Sequence, residues 1–369
     1  MELARALERL GPVPLVGVDG GASGFRAHRV CVVPGGRGRD GPRLATQGLP
    51  SRRSIEPVPG FQALPLDRQS GPEAGEAPGA LERELRERWL EAACGAILGL
   101  GLDPARGARP LIGLCAPGLK TADGRGIRAA LHGPRIPDFA AELERRLAQA
   151  GLVPVRPLGP LAADGLAAGT GEWLGALGRL SGLQQGYYLG GGSGVAECLL
   201  LDGLPRAPEG AGLGLDRAWE ALACDGRSYE VHLSAAGLNR DWSALGTGLP
   251  EAAAAAGNRR AVELFRERAE RLADWCQGRL SLVQHRAGRV LERIVVGQRL
   301  GGLFLDPALA AHFARPARER LAERIAEQGP RAVAEVWLRD GALAPERLVG
   351  SDLREAPAIG ALALALEGP

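Results

Sequence analysis

The stretch that decides the fold is Leu15-Val16-Gly17-Val18-Asp19-Gly20-Gly21-Ala22-Ser23-Gly24-Phe25-Arg26. An apolar run ends in a carboxylate and a glycine-rich turn follows, a pattern that predicts a strand, a tight turn and a second strand. The turn would present backbone N–H groups and the Ser23 hydroxyl beside Asp19, which suits the terminal phosphates of a nucleotide with Mg²⁺. Glycine-rich hairpin turns are also common without a ligand, so this motif alone leaves a purely structural interpretation open.

A second glycine turn, Gly190-Gly191-Gly192-Ser193-Gly194, follows the apolar run Tyr187-Tyr188-Leu189 about 170 residues later. The sequence predicts a strand over 195–201 after it, a tight turn at Asp202-Gly203, and a further strand over 294–297. The two strand–glycine–strand units, each associated with helical patterns, predict two similar α/β lobes. Neither turn has the Walker lysine motif or the dinucleotide-binding fingerprint.

Length and composition restrict the class of protein. A chain of 369 residues corresponds to two or three domains of about 150 residues. Hydrophobic residues make up 45%, charged residues 24%, and the net charge is +2, which is typical of a soluble globular protein and disfavours a nucleic-acid or membrane partner. The six cysteines are widely separated, without metal-ligand spacing, so we expect a reduced, cytoplasmic protein. Lys120 is the only lysine among many arginines, a bias that we attribute to a GC-rich genome.

Helical periodicity predicts helices over about 80–100 and over 258–285, the second capped by Asn258. Asp138 is a predicted cap for a helix that ends at Gly151, and Val153-Pro154-Val155 is a predicted edge strand. From Pro34 to Gly79 we expect short strands and a mobile loop. Asp164 lies at the start of a helix rich in small residues.

In their order and spacing these segments resemble the ROK (repressor, open reading frame, kinase) sugar kinases of the actin, heat-shock chaperone and hexokinase superfamily. Residues 18–26 resemble the first phosphate motif D-x-G-G-T-x-x-R, with serine in place of threonine. Residues 113–118 are similar to the G-x-A-x-P-G strand end, and 161–172 to the E-N-D-A-N-A-A-x-x-x-G-E segment. Residues 189–194 resemble the second phosphate motif, 294–297 the strand before the adenosine loop, and 360–363 the closing helix.

The resemblance implies a two-lobed actin-like (ribonuclease H-like) α/β fold with the active site in a cleft between lobes, 12–163 plus 352–369 and 164–351. It assigns Asp164 as the base that accepts the proton of a sugar hydroxyl, although a helix N-cap is the alternative role. Asp19 would contact Mg²⁺ carried by ATP. The other residues implied to bind ATP are Gly20, Gly21, Ser23, Arg26, Gly190, Gly191, Gly192, Ser193, Gly297, Gln298 and Gly301.

The sequence departs from the family pattern around the sugar. Ala163 stands where the family has asparagine, and Gly212-Leu213-Gly214-Leu215 replaces an E-x-G-H motif. Glu209 and Asp216 are candidate substitutes from nearby, and Glu230 is a candidate for the sugar-contacting glutamate at the end of the family's zinc motif, with a solvated surface role as the alternative for each. The zinc motif is reduced to Cys224, so we expect no structural zinc.

One loop, 132–138, lies where family members touch the substrate. Its candidate substrate ligands are His132, Gly133 and Arg135, against the alternative of an exposed loop with a helix cap.

The sequence therefore predicts ATP- and Mg²⁺-dependent phosphorylation of a sugar or polyol. The alternative is a catalytically weak sugar- or nucleotide-binding sensor of the same fold. An acyl-CoA dehydratase activator is disfavoured because its cluster needs paired cysteines. A DNA-binding repressor is disfavoured because only some ten residues precede the first strand. A homodimer is a family expectation.

Overall fold

A computed structural model describes residues 3–35, 41–64, 68–69, 78–103 and 109–367. The chain forms two compact units, Met1–Leu177 with Glu355–Pro369, and Gly178–Arg354. Residues 164–177 therefore belong to the first unit, whereas we expected the second lobe to begin at Asp164. The return to the first unit was expected from residue 352 and occurs at Glu355.

The first unit is built on a five-stranded sheet with the order β3-β2-β1-β4-β7. Strands β1 and β2 form an antiparallel hairpin that is closed by the pair Gly21–Gly24, and β4 runs parallel to both β1 and β7. Its elements are α1 (Leu3–Leu10), β1 (Leu15–Gly21), β2 (Gly24–Val33), β3 (Arg43–Ser54), α2 (Ala80–Leu98), β4 (Leu111–Ala116), β5 (Leu119–Lys120), β6 (Ile127–Ala129), α3 (Phe139–Gln149), β7 (Ala162–Ala163) and α4 (Asp164–Leu174).

The second unit repeats this arrangement with the sheet order β10-β9-β8-β11-β14. Strands β8 and β9 form an antiparallel hairpin, and β11 runs parallel to β8 and β14. Its elements are β8 (Gly186–Gly191), β9 (Val195–Leu201), β10 (Leu204–Arg206), a 3-10 helix (Pro208–Ala211), α5 (Tyr229–Leu233), α6 (Ala235–Ser243), α7 (Pro250–Ala255), α8 (Arg259–Ala287), β11 (Arg293–Gly297), α9 (Gln298–Leu305), α10 (Ala314–Gln328), α11 (Arg331–Trp337), β12 (Leu338–Arg339), β13 (Ala342–Leu343) and β14 (Leu348–Gly350).

The chain then returns to the first unit as α12 (Ala356–Glu367), which packs on β1, β4 and α4. Four glycines make the close approach possible. A Cβ added at Gly17, Gly113 or Gly171 would overlap the backbone of Ala358, Ala361 or Ala356, and one at Gly360 would overlap the backbone carbonyl of Ala167. Since backbone atoms occupy these spaces, no rotamer change could accommodate a larger residue.

Several local predictions are confirmed. The predicted strand–glycine–strand units occur in both sheets, and the helix predicted over about 80–100 spans Ala80–Leu98. Asn258 caps α8 by accepting hydrogen bonds from the backbone N–H groups of Arg260 and Ala261 at 3.1 and 3.2 Å. None of the described helices combines the length and apolar character that a membrane span requires.

One local prediction is confirmed only in position, and another is wrong. Asp138 occupies the N-cap position of α3, but its side chain makes no cap hydrogen bond, and its carboxylate accepts hydrogen bonds from the guanidinium of Arg86 on α2 instead. The segment 153–155 forms no strand, and only the N–H of Val155 bonds to the backbone, at the carbonyl of Pro110. Part of the loop predicted over 34–79 lies outside the described residues, and the rest contains the long strand β3.

The glycine contacts of α12 lead to a stability prediction. Replacing Gly360 with alanine should lower the free energy of unfolding of the first unit by about 2–4 kcal/mol, because the methyl group overlaps a backbone carbonyl. Urea denaturation followed by circular dichroism measures this loss.

Gly278→Ala is the control, since a Cβ there, within α8, meets no atom within 4 Å. It should raise stability by about 0.5–1 kcal/mol through helix propensity. Equal effects of the two substitutions would contradict the packing argument.

Candidate functional site

Asp19 lies at the carboxyl end of β1, where strand pairing places it beside Arg26 on β2 and Cys115 on β4. Arg26 Nη1 is 4.0 Å from Asp19 Oδ2, and the Cys115 thiol donates to Oδ1 at 3.8 Å. The Asp19 side chain is 22% exposed. Burial raises its pKa to about 6, with the charge of Asp164 acting in the same direction and Arg26 and the thiol opposing.

Asp164 is the first residue of α4 and follows Ala163, which pairs with Ala116 of β4. Its Oδ1 accepts the backbone N–H of Gly165 at 2.9 Å. Ala163 occupies the N-cap position, so the alternative role of Asp164 as the N-cap is not what the structure shows. A carboxylate in the first turn is favoured by the helix dipole.

Asp19 and Asp164 thus lie at the same edge of one sheet, since β1, β4 and β7 are parallel neighbours. Their charges interact, as the effect of Asp164 on the pKa of Asp19 indicates. The carboxyl edge of parallel strands is where open α/β sheets bind ligands. In this arrangement one carboxylate can bind a cation while the other accepts a proton.

The first glycine turn is an open hairpin tip. Gly21 pairs with Gly24, and Ser23 at the tip is exposed while its carbonyl accepts the N–H of Ile55. A Cβ at Gly20 would lie 2.8 Å from the Cys115 carbonyl oxygen and overlap the Phe25 ring, so packing requires glycine there.

The second glycine turn has the same form, with Ser193 exposed at its tip. Gly192 donates to the carbonyl of Gly194 at 2.9 Å, and Gln298 lies against the loop with a left-handed φ of 56°. A Cβ at Gly192 would be 2.5 Å from Gln298 Oε1, and one at Gly191 would be 2.7 Å from Leu300 Cβ. The structure thus brings Gln298 to the predicted loop.

Two more predicted residues, Gly297 and Glu230, lie beside this loop, and Gly301 follows in α9. Glycine is required at Gly297 by the Tyr188 ring, 2.5 Å from an added Cβ, and at Gly301 by the Ser351 carbonyl, 2.6 Å away. Glu230 accepts the N–H of Val195 at 3.3 Å, so its carboxylate lies beside the glycine turn of the second unit.

The other predicted sugar ligands form an ion pair, pack against a neighbouring side chain or lie at the surface. Arg135 is 8% exposed and forms a bidentate ion pair with Glu82 on α2, with distances of 2.9 and 2.8 Å. Burial raises the pKa of Glu82, but hydrogen bonds from Arg135 outweigh it and hold that pKa below its usual value. Gly133 packs on Trp89, His132 is exposed, and Glu209 is 55% exposed and 4.0 Å from Arg217.

The segment that follows Cys224 contains a network of charges that the sequence did not predict. Arg227 donates to Asp225 and Glu267 at 2.9 and 3.3 Å. His232 is fully buried, and burial lowers its pKa. Its Nδ1 accepts from Arg268 at 3.0 Å, which leaves Nε2–H to donate to Asp225 at 3.2 Å. Among the described residues Asp225, His232 and Glu267 cluster closely enough to hold a metal ion, but two arginines already balance their charge.

The sequence also missed the buried network behind the second hairpin. Glu197 on β9 accepts from Tyr187 and from Arg279 of α8, at 2.5 and 2.9 Å, and from the N–H of Ala218 at 3.0 Å. The sequence signal that could have indicated this network is a charged residue within an otherwise apolar segment, because a buried carboxylate needs a partner.

The raised pKa of Asp19 predicts a pH-dependent stability. The unfolded chain loses this proton near pH 3.8 and the folded chain near pH 6, so ionisation destabilises the folded state increasingly as the pH rises through this window. Asp19→Asn should therefore stabilise the first unit by up to about 3 kcal/mol at pH 8 and far less at pH 4. Urea denaturation at both values measures the difference, and an equal gain at both would show that burial of the charge is not the cause.

The ion pair of Arg135 predicts a structural effect of its removal. Arg135→Met should lower the free energy of unfolding by about 2–4 kcal/mol, because the Glu82 carboxylate, only 14% exposed, loses its charged partner and keeps only the hydrogen bond from the backbone N–H of residue 135. The double variant Glu82→Leu/Arg135→Met should recover at least half of the loss. Arg145→Met is the control, since this 53% exposed arginine pairs with Glu142 at the surface and should cost under about 1 kcal/mol. Chemical denaturation measures these changes. If Arg135→Met leaves the stability unchanged, the ion pair is not structural and Arg135 is again a candidate substrate ligand.

No protein-family model matches the chain, and no curated protein sequence matches it significantly. Solved structures do match. The ROK hexokinase from Thermus thermophilus is 22% identical, with a TM-score of 0.52 over 97% of this chain and 100% of that one. A ROK family glucokinase from Streptomyces griseus, solved with glucose and AMPPNP, is 19% identical, with a TM-score of 0.57 over 96% and 100%.

A ROK family transcriptional regulator, described as a homologue of the E. coli MLC protein, also matches. It is 15% identical, with a TM-score of 0.52 over 98% of this chain and 83% of that one. These similarities span nearly the whole chain and confirm the resemblance at the level of fold. The chain therefore has the two-lobed actin-like ATPase fold of the ROK sugar kinases.

Proposed function

We propose that this protein is an ATP- and Mg²⁺-dependent carbohydrate kinase. The observation that carries the proposal is the pairing of Asp19 and Asp164 at the carboxyl edge of one sheet, beside an open glycine hairpin. Phosphoryl transfer needs positioning and charge neutralisation more than covalent chemistry, so this set is sufficient. The fold shared with a hexokinase and a glucokinase supports the choice.

In the proposed reaction Asp164 accepts the proton of a sugar hydroxyl while that oxygen forms a bond to the γ-phosphorus of ATP. The bond from the γ-phosphorus to the β–γ bridging oxygen breaks, and ADP leaves with that electron pair. Asp164 suits the role because it stands at the start of a helix with its carboxylate partly exposed. The backbone N–H groups of the first glycine turn are the proposed phosphate donors.

The residues fit Mg²⁺ at Asp19. The carboxylate is an oxygen donor of the kind that Mg²⁺ prefers, and its pKa of about 6 shows that the folded protein supplies too little positive charge to stabilise the ionised form fully. A bound divalent cation would neutralise phosphate charge. Arg26, at 4.0 Å, is the neighbouring cation of the chain itself.

A weak sugar-binding or nucleotide-binding sensor is the second candidate, and one observation favours it. The segment Gly212–Leu215 has neither a carboxylate nor an imidazole, and Arg286 donates to the carbonyls of Leu213 and Gly214 at 2.5 and 2.6 Å. A transcriptional regulator also shares this fold. Cytoplasmic location and a homodimer stay predictions from the sequence.

The proposal is tested by a coupled ADP-release screen with Mg-ATP against hexoses, amino sugars and polyols. Asp164→Asn should lower sugar-dependent turnover by about 10²-fold to 10⁴-fold, because the base is removed while ATP binding is retained. Calorimetry with a non-hydrolysable ATP analogue checks that binding.

Asp123→Asn is the matched control. Asp123 is an exposed carboxylate that accepts hydrogen bonds from Thr121 and Arg125, and its substitution should leave turnover unchanged. If no compound raises ADP release in the unmodified protein but calorimetry detects a sugar or ATP, the sensor becomes the better description.

A further inference from the structure

Lys120 is the feature that the proposed function leaves unused. Of the 45 cationic Lys and Arg side chains, 44 are arginine and this one is lysine. It lies in β5, four residues beyond the end of β4. The chain therefore uses arginine at every other Lys or Arg position, including Arg26 at this edge of the sheet.

The geometry explains why an ammonium is used here. Lys120 Nζ donates to the carbonyl of Ala116 at 2.8 Å and to that of Gly118 at 2.6 Å. Both carbonyls belong to the bend that follows β4, so one compact group closes the bend. The planar fork of a guanidinium directs its N–H groups differently and is larger, and it would not converge on the two oxygens in the same space.

The bend lies next to the candidate base. Ala116 pairs with Ala163, and Asp164 is the next residue. Burial lowers the pKa of Lys120, whereas the negative charges of Asp164 and of the Cys115 thiolate form raise it. The other charged groups of this edge are Asp19 on β1 and Arg26 on β2. Asp19 contacts both the Cys115 thiol and the Arg26 guanidinium. Lys120 is thus a half-buried cation coupled to Asp164.

We propose that Lys120 is a positioning residue that closes the bend after β4 and supplies the countercharge that keeps Asp164 ionised. The catalytic part of this inference rests on the proposed kinase function. The electrostatic coupling of the two side chains does not, and it can be measured without turnover. Lys120 acts through Asp164 and is not assigned a contact with substrate.

The coupling is tested by NMR on the full chain grown with lysine labelled with ¹³C at Cε. A single lysine gives a single side-chain signal, whose shift reports its titration. Because coupling between two sites is reciprocal, removing the charge of Asp164 should lower the titration midpoint of Lys120. Asp164→Asn is compared with Asp123→Asn, which removes a carboxylate three residues from Lys120 in sequence that is not among the charges acting on Lys120.

The expected result is a lower midpoint in Asp164→Asn and an unchanged one in Asp123→Asn. At a pH below the midpoint this corresponds to at least about a twofold larger neutral fraction of the amine. Equal midpoints in Asp164→Asn and the unmodified protein would overturn the proposal. Thermal denaturation confirms that both variants are folded.

The catalytic consequence is tested by the pH profile of kcat/KM for the unmodified protein, Lys120→Met and Lys120→Arg. Loss of the ammonium should move the acidic limb to higher pH in Lys120→Met, because Asp164 then ionises less readily. Lys120→Arg keeps the charge, so its acidic limb should stay in place while kcat falls through the altered bend. If Lys120→Met lowers kcat but leaves the acidic limb of the pH profile in place, the residue has only a structural role, and the proposed countercharge to Asp164 is wrong.

The two measurements separate the two hypotheses. A lowered midpoint in Asp164→Asn with no sugar-dependent turnover of the unmodified protein would retain the coupling and reject the kinase. Turnover with unchanged midpoints would retain the kinase and reject the role of Lys120.

Discussion

The close approach of α12 to the backbone of β1, β4 and α4 is the constraint on which the first unit depends. Each contact is made by a glycine, at Gly17, Gly113, Gly171 and Gly360, and at each the space of a side chain is filled by backbone atoms of the partner element. The helix thereby fixes the relative heights of β1, β4 and α4. Because Asp19 lies at the carboxyl end of β1 and Asp164 directly follows β7, their proximity is a consequence of this packing.

The edge of the sheet combines charges that oppose one another. Two carboxylates lie together, one of them with a pKa of about 6 because of burial, and the compensating cations are Arg26 and Lys120. Such a site favours a ligand that brings its own cation, as a metal–polyphosphate does. The hairpin of the second unit has the same backbone form, but the carboxylate beside its glycine turn, Glu230, comes from α5 and not from the strand that precedes the turn. The duplicated fold therefore presents two chemically distinct loops.

Local patterns predicted the elements whose signals are local. The β1–β2 hairpin, α2, the capped α8 and the small-residue helix that begins at Asp164 were all readable from periodicity and turn residues. The failures involve partners distant in sequence. Asp138 pairs with Arg86, and Arg135 pairs with Glu82; the partners are more than 50 residues apart in each pair. Sequence periodicity cannot indicate such pairs. The unit boundary after Leu177 depends on α4 packing against α12, again a long-range contact.

The discontinuity of the first unit has a consequence for its biosynthesis. The strands β1 and β4 leave the ribosome early, but the helix that covers them is made only after the whole of 178–354. The second unit is continuous and can fold as soon as it emerges, as domains usually do during synthesis. The nascent first unit meanwhile exposes the apolar face that α12 will bury. We therefore expect the half of the protein that is translated first to be the last to reach its native state, and chaperones that bind nascent chains to act mainly on this half.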